Sequence, residues 1–330
     1  MDVTQLRENQ KEAFNIIENS FRRNRLSHAY IFEGDAGSMK FDAALFFAAK
    51  LLCKHDEAPC LDCHDCRRVH NITHPNLYVV RLKKTEIVKD DIRGLQSEFS
   101  KTALEEGPKV YIIEQAEKMN AYAQNALLKF LEEPLSETYA ILLSLDADKM
   151  LPTIQSRSQR VPFHRLSESS IESMLLEAGY EQTQSKLAAR MQATYEDAKT
   201  FLNDVYLDEL IDAASAVYDA LANDESALVA FHREADGLLG DKEKVAYLID
   251  VFIHYQKDLI YGKIKNQSQM IFAEAVDTIE RLNARFPMSH HIDILERMLT
   301  IKVRLRSHIN VKLALDNLMI ALDKGEPNEE

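Results

Sequence analysis

Between residues 28 and 165 the chain alternates short apolar runs with amphipathic segments of helix length, and beyond that point the apolar runs stop. That switch constrains the fold more than any other feature. His28 to Phe32, Asn76 to Arg81, Lys109 to Ile113 and Tyr139 to Ser144 each have the length of a buried strand, and Gln159 to Phe163 predicts a fifth. The segments between them, Asp42 to Cys53, Val88 to Lys101 and Tyr122 to Glu133, read as helices. Ile92, Leu95 and Phe99 recur at helical spacing in the second, and Pro134 stops the third. Residues 4–25 predict one more helix ahead of the first strand. Strands alternating with helices imply crossover connections, so residues 1–165 are expected to form an α/β domain on a parallel sheet. After it, Ser167-Glu168-Ser169-Ser170 supplies a helix start. Helical patterns then continue to Asp323, as a small segment over 166–207 and a larger all-helical one over 208–330. Only 9 Gly and 8 Pro in 330 residues agree with a helix-rich chain.

The first predicted strand runs into Gly34-Asp35-Ala36-Gly37-Ser38-Met39-Lys40-Phe41 and then into a helix. This is the setting in which a G-x-x-x-x-G-K-[ST] loop wraps a phosphate. Gly34, Gly37 and Lys40 fit. Met39 stands where glycine lets the backbone close on the anion, Phe41 replaces the hydroxyl that would hold Mg²⁺, and Asp35 adds negative charge. Taken alone, the loop is equally an ordinary glycine turn with a chance lysine. An ATPase of this kind also needs an Asp and a Glu after a later strand, for metal and for the attacking water. Here the third strand ends in Glu114-Gln115, and Gln115 cannot act as a base. The defects agree with one another, so productive ATP binding is not expected.

All four cysteines fall within fourteen positions, Cys53, Cys60, Cys63 and Cys66. Such clustering outside a disulfide framework points to metal, and four thiolates with no open position point to structural Zn²⁺. The spacing lacks the usual run of an iron–sulfur ferredoxin. His55, His64 and His70 are spare ligands nearby.

The stretches His28 to Gly34, the four-cysteine insert, Lys109 to Ile113, Asn125-Ala126-Leu127-Leu128-Lys129-Phe130-Leu131-Glu132-Glu133-Pro134 and Ser156-Arg157-Ser158 occur in order. Together they resemble the bacterial clamp-loader AAA+ family of DNA polymerase III, whose members carry N-A-L-L-K-x-L-E-E-P and S-R-C. The resemblance implies a P-loop-like AAA+ domain with a zinc module over 53–66, then a helical lid and an all-helical collar. It implies that Ser156 and Arg157 belong to an arginine finger reaching the ATP of an adjacent subunit, with no catalysis intrinsic to this chain. Implied partners are gamma/tau and delta subunits in a hetero-pentameric ring, and through it the sliding clamp and primed DNA. The ruined phosphate loop and Gln115 match the non-hydrolysing member rather than the gamma/tau ATPases. Glu196 falls where the ATPases place a lid arginine. Ser158 departs from the family's cysteine.

The net charge of −13 lies almost wholly in the C-terminal half, and the N-terminal half is near neutral. Strong DNA binding by the chain alone is therefore not expected. Lys89, Arg93 and Lys101 are candidate phosphate contacts, although a solvated helix face explains them equally. Two other readings stay in play, an active ATPase of the gamma/tau kind and a zinc-dependent nucleic-acid binder. No apolar stretch is long enough to span a bilayer, and Met1 to Lys11 lacks the apolar core of a signal peptide, so a cytoplasmic protein is expected. In the helical part, Leu248, Val251, Phe252, Ile292, Leu295, Leu299, Leu313 and Leu318 sit at helical spacing, mostly as core with some facing partners.

Overall fold

The computed structural model describes residues 3–82, 85–100, 106–132, 137–204, 207–305 and 310–324. Lys101, Glu133 and Pro134 fall outside these, as do the side chains of Leu95 and Phe99. The chain divides into two compact units, Met1–Ser167 and Glu168–Glu330.

The first unit is built on five strands, β1 (Ala29–Glu33), β2 (Leu77–Val80), β3 (Lys109–Ile113), β4 (Thr138–Ser144) and β5 (Gln159–Pro162). All pairings are parallel, in the order β2-β3-β4-β1-β5. Side chains alternate across a strand, and both faces of this sheet are covered, which is why the strands read as continuous apolar runs. Tyr30, Phe32, Val110, Ile112, Ile141 and Leu143 pack on one face with the helices Val3–Asn9, Lys11–Arg22 and Lys40–Leu52. Ile31, Tyr111, Ile113, Ala140 and Leu142 pack on the other, with Ile92 of Lys89–Ser100 and Ala123, Leu127 and Phe130 of Ala121–Glu132. Every residue from Ala43 to Ala49 is buried, so the helix after β1 is enclosed on nearly all sides.

The single helix expected over residues 4–25 is two, broken at Gln10. Its amide explains the break. Gln10 Nε2 donates to the His164 carbonyl at 2.6 Å, and Gln10 Oε1 accepts from the His164 N–H at 3.0 Å, so the chain bends to reach the second residue after β5. A short helix that was not expected, His64–His70, follows the cysteine segment.

Gly34, directly after β1, has a reason that needs no phosphate. A Cβ there would lie 2.2 Å from the Phe163 carbonyl oxygen. Gly34→Ala is expected to destabilise this unit by roughly 1–3 kcal/mol, the usual cost of overpacking, lowering the midpoint of denaturant unfolding. An unchanged midpoint would contradict the close packing.

Among the described residues, every regular element of the second unit is a helix. Glu168–Glu177, Gln182–Met191 and Tyr195–Asp204 pack on one another, with Glu196 exposed in the first turn of the last. The helix Lys242–Lys263 is the centre of the rest and packs against Leu207–Ala222, Val276–Arg285 and Met288–Arg304. Leu248, Val251, Phe252 and Leu318 are buried and Leu295 half-buried, whereas Ile292, Leu299 and Leu313 are exposed. Gln256, fully buried, accepts from the Tyr218 hydroxyl and donates to the His291 carbonyl.

Burial holds His254 at about 3 and His291 at about 4, below the ordinary 6.5, and lowers His290 as well. A histidine depressed in the folded state takes up its proton on unfolding. Its stabilising contribution is therefore full above pH 6.5 and is lost as the pH falls toward 4. Asp258, raised by burial to about 6, pulls the other way, one group against three. The helical unit should lose roughly a few kcal/mol between pH 6.5 and 4. Denaturant titrations across that range would check it, and a flat profile would contradict it.

Candidate functional site

Because all five strands are parallel, the segments that follow β1, β3 and β4 gather at one edge of the sheet, where open α/β folds bind ligands. The residues expected to form the phosphate loop are there, but their bonds are spent on one another. The Lys40 ammonium donates to the carbonyl oxygens of Gly34 and Asp35 and to Ser38 Oγ at 3.1 Å. An ammonium has three protons, so this set uses them all. Burial pushes Lys40 below its ordinary range, with Asp35 and Glu117 opposing. Met39 is left-handed, at φ 60° and ψ 19°, the conformation for which glycine is suited. Both Met39 and Phe41 turn onto the apolar core instead of toward an anion or a metal.

The carboxylate after β3 is also engaged. Glu114 Oε1 pairs with Arg81 Nε at 3.1 Å, and the same guanidinium lies 5.6 Å from the centre of the Phe41 ring. A residue that replaces a magnesium ligand, one that would face the metal, and an arginine thus form one set. Gln115 is left-handed at φ 51°. Sequence reasoning missed Arg81. Its only signal is that it follows β2 as Glu114 follows β3, and those strands are neighbours.

Arg157 lies elsewhere in the same unit, just after the short helix Pro152–Gln155. The Ser156-Arg157-Ser158 triplet closes that helix. Ser156 Oγ donates to the Thr153 carbonyl at 3.2 Å, Arg157 Nη1 to the same oxygen at 3.1 Å, and Ser158 Oγ to the Ile154 carbonyl at 2.9 Å. The serine at 158 therefore keeps a structural bond. Arg157 Nη2 also pairs with Glu132 Oε1 at 2.8 Å, and the Arg157 side chain is 42% exposed. Among the candidate phosphate contacts, Arg93 lies 3.6 Å from Asp90 on its own helix.

Cys53, Cys60, Cys63 and Cys66 bring their sulfurs within 4.8 Å of one another, with no histidine in the set among the described residues. The closer pairs stand at 3.7, 3.9 and 4.0 Å. A tetrahedron of thiolates at Zn–S of about 2.3 Å has edges of about 3.8 Å. These contacts are also far too long for disulfides. The fold supplies the knuckle locally, with Cys63 capping His64–His70 and its sulfur accepting from the Cys66 N–H at 3.4 Å. Backbone N–H groups around Asp62 and Cys63 draw Cys60 down to about 6, while burial pushes Cys66 up, so a cation is what would hold all four deprotonated. Asp65, between the last two cysteines, bonds Arg68 at 2.5 Å and lies 3.7 Å from the buried ring of His74, tying the knuckle to the chain entering β2. The four cysteines fit a closed metal site.

Comparison with known proteins adds four findings. The sequence profile of a family described as "DNA polymerase III, delta subunit" matches residues 9–167. The DNA polymerase III subunit delta′ of Bacillus subtilis (strain 168) is 32% identical over 326 residues, covering 97% of this chain and 98% of that protein. Shorter matches are to the delta′ subunit of Pseudomonas aeruginosa, 40% identical over 139 residues and covering 41% of this chain and 42% of that protein. The tau subunit of Bacillus subtilis is 32% identical over 157 residues, or 47% of this chain and 28% of that one.

Proposed function

Given that this chain belongs to the bacterial DNA polymerase III delta-prime family, we propose that it is a non-hydrolysing AAA+ subunit of a clamp loader, supporting ATP-dependent loading of a sliding clamp onto primed DNA. In this reading the first unit is the degenerate ATPase-like domain, residues 166–207 are a lid and 208–330 a collar. Gamma/tau and delta subunits complete a hetero-pentameric ring in the cytoplasm. Among the described residues no helix is long and apolar enough to cross a membrane. The four cysteines hold structural Zn²⁺, and exposed apolar residues such as Ile292, Leu299, Val303 and Leu313 are available to collar partners.

One observation carries the reading. The loop that would hold a triphosphate is filled from within by Lys40, while Arg157 stands exposed at the surface. A nucleotide would have to break the bonds that the Lys40 ammonium makes within the loop. A guanidinium at the surface can serve a phosphate bound by another subunit, because its planar fork matches the charge that builds on the γ-phosphate oxygens.

Equilibrium binding of ATP to the isolated chain tests the first half. Affinity no better than about millimolar is expected, which at a few kcal/mol is the weak end of specific binding. Sub-micromolar ATP affinity would sink the non-hydrolysing reading and return the chain to the gamma/tau class.

A further inference from the structure

Arg157 is engaged within its own chain, and its charged partner has no role in the reading above. Glu132 ends the helix Ala121–Glu132, and Arg157 follows the helix Pro152–Gln155. The carboxylate accepts from Nη2 at 2.8 Å while the Thr153 carbonyl accepts from Nη1 at 3.1 Å. Both terminal nitrogens of the fork thus have acceptors, and these are the nitrogens that a pair of phosphate oxygens would use. The side chains are 42% and 48% exposed, so the clasp faces solvent and contributes little to stability.

A carboxylate this close neutralises the guanidinium and occupies one of its donors. A triphosphate brought to the same nitrogens would stand against the Glu132 charge, so the arginine cannot serve both at full strength. The exchange is easy in one direction only. A triphosphate carries several charges and a carboxylate one, and the exposed pair is weak enough to yield once the larger anion is close.

We propose that Glu132 is a latch for Arg157, holding the guanidinium at rest until subunit closure passes it to the triphosphate of the neighbouring ATPase. The latch rests on the trans-acting arginine of the preceding section. Glu132 is a positioning residue that acts through Arg157 and touches no nucleotide.

The test uses the reconstituted complex, with Glu132→Gln, Glu132→Lys, Arg157→Ala and the Glu132→Gln/Arg157→Ala double variant. The KM for ATP and the single-turnover kcat of the site that Arg157 would serve are measured with and without clamp and primed DNA. Releasing an exposed pair should raise the unstimulated kcat about two- to fivefold in Glu132→Gln, and at least as much in Glu132→Lys. KM should stay unchanged and the stimulated rate should stay near wild type, so the stimulation ratio falls. The gain should vanish when Arg157 is already alanine, a dependence that a merely structural carboxylate would not show. An unstimulated kcat that is unchanged or lowered in both Glu132 variants overturns the latch, as does a gain that persists without Arg157. If Arg157→Ala alone leaves hydrolysis at the wild-type rate, the trans-acting arginine fails and takes the latch with it.

Discussion

Replacing Arg157 with alanine is expected, on the trans role proposed for it, to slow hydrolysis at the one nucleotide site it would face by roughly 10³-fold or more, the scale on which trans-acting arginines work. Phosphoryl transfer places growing charge on the γ-phosphate oxygens. A guanidinium answers it with two parallel N–H groups fixed in one plane. Arg157→Lys should not restore the rate, because an ammonium offers a point charge without that fork. The total ATPase of a ring falls only by the share of that site, so the informative measurement is single-turnover hydrolysis in the reconstituted complex. One site should drop out of the fast phase while the others keep their rates. The arginine is 42% exposed and, among the described residues, bonds at the end of a short helix and to Glu132, so the variant should melt with the wild type. A fast phase of full amplitude would remove Arg157 from the reaction.

The second large effect is expected at the cysteines. Metal analysis should find one Zn²⁺ per chain, and Cys66→Ser should abolish it. Metal-binding free energy in such modules is folding free energy, on the order of 10 kcal/mol in isolated zinc-finger peptides. Stripping the ion should therefore open the segment from Cys53 to His70 before the sheet. Amide exchange in His64–His70 should accelerate by roughly 10³-fold, while β3 and β4 keep their protection. The disturbance should reach the chain entering β2. Asp65 lies 3.7 Å from His74, and the Asn76 carbonyl accepts from Val110 of β3 at 2.8 Å. A chain that binds no metal, or whose exchange is indifferent to a strong chelator, would contradict the site.

Much of this was legible in the residues because it depends on short range. The strands could be read because a parallel sheet covered on both faces needs apolar residues at every position, and Lys109–Ile113 falls where the pattern placed it. The cysteine cluster was legible because a knuckle is a local turn. What escaped depends on which segments become neighbours. Nothing around Gln10 announces a break; the break exists because His164 offers both of its backbone groups there. The Arg81–Glu114 and Glu132–Arg157 pairs could be found only once strand order and helix ends were known. The same limit applied to the helical part. Leu248 and Leu299 share one periodicity, yet the first is buried and the second exposed, because the difference lies in what else packs there.

The strand order has a consequence for synthesis. Among the described residues β1 pairs with β4 and β5 alone, so this interior strand is the first made and the last to be completed. While the ribosome adds the next hundred or so residues, a rate of roughly 5–20 residues per second leaves Ala29 to Phe32 unpaired for several seconds or more. Until Gln159–Pro162 emerges, the growing chain carries a bare apolar edge that chaperones can seize. A stall or truncation short of that point should yield a sticky fragment, not a smaller domain.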